Sequence, residues 1–199
     1  MVLTHHLAGR QATARRHAEH ALGPGVGSRT RGGARTHWLD HRVTARAVLG
    51  RILWVQGFPD QAAVAAHNCV ADALAVGHGL WLVFAFIQCC AAVLWTGDMP
   101  AADSFVATLL DHSARHSRRK GQFWGRSFAS VLECRRGDTR NEIARCDDML
   151  SDPLCDRPYF ETMATLSEDL VGVEAVARAE AGSAGWCAAE ILRPRRQSC

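Results

Sequence analysis

Two histidine pairs are the first candidates for chemistry, because histidines four residues apart on a helix can bind one metal ion. Such pairs occur at His37 and His41 and at His112 and His116. A helical zinc site of this kind commonly has a glutamate between its histidines and a third ligand nearby. No glutamate lies between either pair. We therefore expect solvated or packing histidines, and no metal or other cofactor.

Three further motifs have the residue types of a catalytic or nucleotide site without its spacing. Lys120, the single lysine, lies in Arg-Lys-Gly and not in the Gly-Lys-Ser/Thr step of a P-loop. Residues 23–27 (Gly-Pro-Gly-Val-Gly) are expected to form a flexible loop, since phosphate-binding glycines follow a strand and open a helix. The adjacent carboxylates at 147–148 and 168–169 diverge by about 100° on a helix and cannot converge in a cleft. We predict a chain without catalytic residues.

Composition and charge are those of a globular protein. Hydrophobic residues make up 48% of the 199 residues and charged residues 22%, with a net charge of +3, which excludes global disorder. Residues 1–46 contain eight arginines against two carboxylates, a balance of +6, and residues 140–180 contain ten carboxylates against four arginines, a balance of −6. The arginine-rich stretches at 15–16 and 29–35 have neither interleaved aromatic residues nor a recognition helix. We expect no direct binding of nucleic acid by this chain.

The cysteines and the longest apolar run bear on the location of the protein. The eight cysteines include no Cys-x-x-Cys pair, and buried thiols indicate a reducing compartment. The N-terminus lacks the apolar stretch of a signal peptide, so we predict a cytoplasmic protein. The uncharged segment from Gly79 to Gly97 reaches the length of a membrane span. Because Gln88 lies near its centre, we expect a buried helix and no membrane partner; a membrane-associated helical protein is the alternative.

An internal repeat determines the predicted architecture. Gly57, Gly97 and Gly137 are spaced by 40 residues, and an apolar helical pattern precedes and follows each of them. The pattern predicts helices at 43–56, 81–96 and 123–136 before the glycines, and at 60–76, 101–116 and 141–150 after them. A glycine between two short helices is typical of a helical hairpin.

Two weaker copies lie around Gly9 and Gly172. An alanine falls five residues after the glycine in four copies, where a small side chain lets the two helices cross closely; these alanines are Ala14, Ala62, Ala102 and Ala177. The chain then divides into a partial N-terminal hairpin (residues 1–22), a Gly/Arg-rich connection (23–41), a helical-repeat array (42–193) and a tail (194–199).

The sequence resembles the tetratricopeptide repeats in the pair Leu49-Gly50 and in the second-helix alanine Ala62. With its 40-residue period, and in the strings at 42–46, 52–61, 157–160 and 185–193, it is similar to the C-terminal region of bacterial winged-helix/ATPase or adenylate-cyclase-linked regulators. The resemblance implies an all-α tetratricopeptide-like solenoid of four to five hairpins. It also implies a non-catalytic module for protein–protein interaction or signal sensing. The alternative is a fragment of a multidomain adenylate cyclase or ATPase.

In tetratricopeptide arrays the first helices line a concave groove that binds a protein or peptide partner, or neighbouring domains of the same regulator. Carried over by position, the resemblance assigns to this groove Arg51, Trp54, Phe84, Ile87, Leu94, Trp95, Trp124 and Arg135.

Polar capping units are absent from both ends of the sequence. A repeat array without such caps exposes apolar surface at its ends. We therefore expect exposed apolar side chains at both termini, a fragment of a longer protein, and self-association of the isolated chain.

Overall fold

The computed structural model describes residues 1–23, 35–137, 157–167, 171 and 173–197. The described residues contain ten α-helices, one 3₁₀ helix and no strand, which confirms the all-α prediction. The 3₁₀ helix is Gly185–Cys187. In chain order the α-helices are α1 (Val2–Leu7), α2 (Gln11–Leu22), α3 (Arg35–Val55), α4 (Pro59–Val76), α5 (Gly79–Thr96), α6 (Met99–Arg115), α7 (Arg119–Arg135), α8 (Arg157–Ala164), α9 (Val173–Glu180) and α10 (Ala188–Gln197).

The repeat glycines lie at the turns that the sequence predicts. Gly9, Gly57, Gly97 and Gly137 have φ values of 75°, 83°, 77° and 102°, a left-handed region that favours glycine because it has no Cβ. A proline stands in the first turn of both α4 and α6, where its missing N–H costs no helical hydrogen bond. Local sequence thus sets where these helices end and restart.

Two helix boundaries differ from the prediction. The helix α3 begins at Arg35, inside the predicted connection, because no glycine or proline lies between that residue and Gly50. The helix α10 continues through Pro194 to Gln197, into the predicted tail. The predicted helix at 141–150 and the predicted turn at Gly172 lie outside the described residues.

Three of the four repeat alanines are buried, as we expected for small side chains where the two helices of a hairpin cross. Ala14, Ala62 and Ala102 are each 0% exposed. The prediction is wrong for Ala177, which is exposed. The helix α9 instead buries Ala175 and its neighbours Val176 and Ala179, so the face that packs is not the one that contains Ala177.

Each helix from α2 to α6 packs against the next one in the chain, and α5 also contacts α3 and α7. The apolar helix α5 is central to this core, with Phe86, Cys90 and Leu94 among its buried residues. Among the described helices, α5 alone has the length and apolar composition of a membrane span; 61% of that segment is buried. A helix buried to this extent is typical of a protein core, as the sequence predicts.

The apolar residues at the two ends of the chain pack onto each other. The helix α1 contacts the 3₁₀ helix, and the His6 and Trp186 rings lie 5.2 Å apart. Ala14, Ala18, Trp186 and Ile191 are all buried. Ala14 packs on Val48 and Ile52 of α3, whereas Leu7 packs against the C-terminal residues. The expectation of exposed apolar termini is therefore wrong for these residues, because α3 covers α2 and the two ends of the chain contact each other.

The cysteines of the described part form no disulfide with one another. Cys69, Cys89, Cys90 and Cys187 are buried, and Cys134 is partly exposed. The hydrogen bond that the Cys89 thiol makes with Cys69, together with burial, raises the pKa of Cys89, and burial raises the pKa of Cys90. Thiols with raised pKa values are poor nucleophiles and behave as small apolar side chains.

Candidate functional site

Arg51 is the most unusual of the predicted groove residues, because its guanidinium is buried between tryptophans. Only 4% of the residue is exposed. Its guanidinium carbon lies 5.1 Å from the centre of the Trp95 ring and 4.6 Å from that of Trp186. Each such cation–π contact contributes about 2 kcal/mol when it is shielded from water. The two aromatic faces partly replace the water that the cation loses.

Two neutral side chains complete the surroundings of this arginine. Arg51 donates hydrogen bonds from Nη1 to Gln88 Oε1 at 2.7 Å and from Nη2 to Thr162 Oγ1 at 2.9 Å. Burial lowers the pKa of Arg51 to about 10, although Cys187 and the buried Glu161 oppose that shift. The side chain therefore stays charged at neutral pH. Its hydrogen bonds connect α3 to α5 and to α8, whose Thr162 is 111 residues distant in sequence.

The tryptophans form a second layer around the same point. Trp54 stacks on Trp95, with ring centres 4.4 Å apart and planes inclined by 14°, and Trp95 lies 5.7 Å from Trp186. Trp95 also donates a hydrogen bond from Nε1 to Thr165 Oγ1 at 3.0 Å. We name this set the arginine–tryptophan cluster: Arg51, Trp54, Trp95, Thr162, Thr165 and Trp186.

The remaining predicted groove residues lie in or beside the core. Ile87, Leu94 and Trp124 are buried, and Phe84 is partly buried. Arg135 donates hydrogen bonds to the carbonyl oxygens of Leu94 and Leu166. The structure therefore brings Arg51, Trp54 and Trp95 together, but residues 162–166 and 186 of the same chain cover them.

His6 adjoins the cluster from the N-terminal side. It is 0% exposed, and its Nδ1 is 2.9 Å from Gln11 Oε1. Burial and the charge of Arg51 lower the pKa of His6 to about 3. The imidazole is therefore neutral at physiological pH. The sequence did not predict that His6, Gln88 and Thr162 lie beside Arg51. Of the residues around Arg51 that were not predicted, only Trp186 belongs to a motif of the resemblance, the string at 185–193.

Of the two histidine pairs, the structure describes the side chains of the second. The rings of His112 and His116 lie 4.4 Å apart, and Nε2 of His112 lies close to Gly79. Within the described residues, no group of three or more potential ligands is placed to hold a metal ion. The side chain of His37 lies outside that part of the chain.

A pocket beside α3 is open to the surface. It has a volume of about 420 Å³ and lies between α3 and α4, beside the end of α2. Its apolar lining consists of Leu22, Leu49, Leu53, Val64 and Ala65. Its polar lining consists of Arg46, Asp60, Gln61 and Asn68.

Comparison with known proteins adds no relative to this picture. No protein-family model, no curated protein and no solved structure matches the chain. The resemblance to the tail of bacterial regulators therefore rests on its motifs alone.

The pocket is of a size and character suited to binding. Surface pockets that bind ligands have volumes of about 300–1,000 Å³, a mostly apolar lining and a few polar groups. Val64 is 60% exposed at its edge, and Arg46 is held in place by an ion pair with Asp72 at 2.7 Å. This arrangement can accept an apolar side chain of a partner beside a polar one.

Proposed function

We propose that this chain is a non-catalytic array of helical hairpins that binds a partner protein, as part of a bacterial regulator. The serial packing of α2 to α7, together with contacts from α5 to α3 and α7, supports the hairpin array. In such arrays each hairpin contacts mainly its neighbours. The role in a regulator rests on the resemblance.

The pocket between α3 and α4 is the observation that carries the binding proposal. Its apolar lining includes the partly exposed Leu22 and Leu49 and the exposed Val64, and exposed apolar surface of this kind commonly marks a protein-binding site. The residues of the arginine–tryptophan cluster fit a different role, because the chain itself already covers them. In this proposal the cluster holds the C-terminal residues in place.

The proposed occupant is an amphipathic segment of the partner. An apolar side chain of that segment enters between Leu53 and Val64, and a basic side chain next to it reaches Asp60, which is exposed at the edge. Apolar anchors in a pocket give such interfaces most of their affinity, whereas exposed charges at the rim mainly orient the partner.

Site-specific photocrosslinking tests the proposal in cells. A photoreactive phenylalanine analogue replaces Val64 in one strain and Val173, on α9 and 84% exposed, in a matched control. We expect a discrete crosslinked protein from position 64 alone, which mass spectrometry then identifies. The same set of adducts from both positions, or none from position 64, would contradict binding at the pocket.

A second experiment tests whether this chain is part of a regulator or of another kind of protein. The resemblance predicts that the coding sequence upstream of this chain, or its neighbouring reading frame, encodes a signal-transducing ATPase. If the crosslinked partner is that ATPase or its target, the assignment to a regulator is supported. A crosslinked partner with no link to such a system would leave a binding module of another kind.

A further inference from the structure

The turn between α6 and α7 is the most basic part of the described surface. Residues 115–120 read Arg-His-Ser-Arg-Arg-Lys, and all six are exposed. Asp111, one helical turn before Arg115 in α6, forms an ion pair with it. Residues 111–120 therefore carry four cationic side chains against one carboxylate, with the histidines counted as neutral.

The backbone of this turn is tightly closed. Ser117 has a φ of 52°, the one non-glycine residue of the described chain in the left-handed region. The backbone N–H of Arg118 donates to the carbonyl oxygen of Ser113 at 2.8 Å. This geometry fixes where α7 begins and holds Arg118 and Arg119 at the end of the helical bundle.

Exposed leucines lie at the same end, around the turn between α4 and α5. Leu74 and Leu80 are each 53% exposed. The two turns are neighbours, because Nε2 of His112 on α6 would lie 3.2 Å from a Cβ placed at Gly79. A Cβ at Gly121 on α7 would likewise lie 3.0 Å from Val83 of α5. Basic side chains and exposed aliphatic side chains thus share one end of the molecule.

We infer that this end of the bundle docks on the surface of an anionic phospholipid membrane. Arg115, Arg118 and Arg119 contact the lipid phosphates, while Leu74 and Leu80 enter the boundary between head groups and acyl chains. Clusters of Lys and Arg bind anionic lipid surfaces, and apolar side chains beside them add to the affinity. The docking is peripheral, and α5 stays in the core.

The side chains next to the basic turn favour a lipid surface over a nucleic acid. Single-stranded nucleic acids bind on aromatic side chains that stack with the bases. The aromatic residue at this end, Trp81, is partly buried and packs edge-on against Phe84 at 6.2 Å. The exposed apolar residues at this end are Leu74 and Leu80, which insert between lipids but offer no flat ring for a base.

Co-sedimentation with lipid vesicles tests this inference on the full chain. One set of vesicles contains equal parts of phosphatidylcholine and phosphatidylglycerol, and the other phosphatidylcholine alone. We expect binding to the first set, little binding to the second, and weaker binding as salt is added, since ions screen exposed charges. Equal binding to both sets, or none to the anionic set, would overturn the inference.

Charge variants locate the surface. The variant Arg118→Gln/Arg119→Gln should reduce partitioning roughly 30-fold, because each basic residue near an anionic surface contributes about a sixfold factor. The matched control is Arg10→Gln/Arg16→Gln, which removes the same charge from α2, where Arg15 bonds to Gln56 at the other end of α3. Equal losses in both variants would mean that net charge alone drives binding.

An apolar variant tests the role of the leucines. Leu80→Gln should weaken vesicle binding about fivefold, since roughly half of that side chain is available for insertion, and Val173→Gln on α9 provides the exposed control. Circular dichroism and thermal unfolding check that each variant folds. If Leu80→Gln binds like Val173→Gln, or if a poly-uridine oligonucleotide displaces the protein from the vesicles, the lipid assignment fails.

Discussion

The substitution of glycine by alanine at two helical positions should have opposite effects on stability. Gly50 lies within α3 and Gly121 in the first turn of α7. In a helix interior, alanine is favoured over glycine by about 0.5–1 kcal/mol. The surroundings of the new methyl group decide whether this gain survives.

At Gly50 there is room for the methyl group. A Cβ there would lie 3.4 Å from the backbone oxygen of Ala62 and 3.8 Å from the Cβ of Ala65, which are ordinary van der Waals contacts. We expect Gly50→Ala to raise the free energy of unfolding by about 0.5–1 kcal/mol.

At Gly121 the methyl group would overlap with its neighbours. It would collide with Oγ of Ser113 and lie 3.0 Å from Cγ1 of Val83. Overpacking of this kind costs about 1–3 kcal/mol, which exceeds the helical gain. We expect Gly121→Ala to lower the free energy of unfolding by about 1–2 kcal/mol.

A double variant separates the clash from other causes. Ser113 is 0% exposed, so Ser113→Ala removes the colliding hydroxyl without opening a path to solvent. In the Ser113→Ala background, Gly121→Ala should cost about 1 kcal/mol less than in the wild type, a coupling that a double-mutant cycle measures.

Thermal unfolding followed by circular dichroism provides the readout. For a chain of this length, 1 kcal/mol corresponds to a shift of about 2–4 °C in Tm. Gly50→Ala should therefore melt above the wild type, and Gly121→Ala below it. If both variants melt above the wild type, the close approach of α6 and α7 is wrong. If Gly121→Ala loses as much with Ser113→Ala as without it, the hydroxyl is not the cause.

Four further predictions concern the core, the cluster, a buried histidine and a helix cap. Ala102→Leu should lower the urea midpoint by an amount equivalent to about 1–3 kcal/mol, and the exposed Ala114→Leu by much less; equal effects would contradict the burial of Ala102. Arg51→Lys replaces the planar fork whose two nitrogens donate to Gln88 and Thr162 by a single ammonium group and should cost about 2–4 kcal/mol, whereas wild-type stability would show that these hydrogen bonds contribute little. The pKa of His6 is about 3 in the folded chain, so below pH 6.5 its imidazole takes up a proton in the unfolded chain but not in the folded one. The free energy of unfolding should therefore fall by about 2–3 kcal/mol between pH 6.5 and 4.5, and His6→Leu should lose that part of the pH dependence. Asp98→Ala should cost about 1 kcal/mol at pH 7 by removing the cap of α6. Its hydrogen bond with His67 lowers the pKa of Asp98, so this difference should persist down to about pH 4 and disappear as the pH falls through the lowered pKa.

The helices and turns of the first half of the chain follow from local sequence. The glycines at 57 and 97, the prolines after them and the helical spacing of apolar residues predicted α4 to α7 within a few residues. The burial of Ala62 and Ala102 was also predictable, since a small residue at a fixed distance from a turn reflects a crossing between adjacent helices. These features depend on residues close together in the chain.

The resemblance to tetratricopeptide arrays assigned eight residues of three helices to one groove. Among them are Arg51, Trp54 and Trp95, which the structure brings together. The sequence could not indicate that these residues are covered, because the covering residues lie far away in the chain. Arg51 donates a hydrogen bond to Thr162, which is 111 residues away in the sequence, and a periodic pattern of residues cannot predict a contact between such distant positions.

Only the tertiary structure shows that apolar residues at the two ends of the chain are covered. The sequence has no polar caps, which led us to expect exposed apolar surface, yet His6 on α1 packs against Trp186 of the 3₁₀ helix. Helical periodicity shows that a face must be buried and leaves open which element buries it. Here the ends of the chain supply that cover to each other, because the burial of apolar side chains is favourable whatever their distance in sequence.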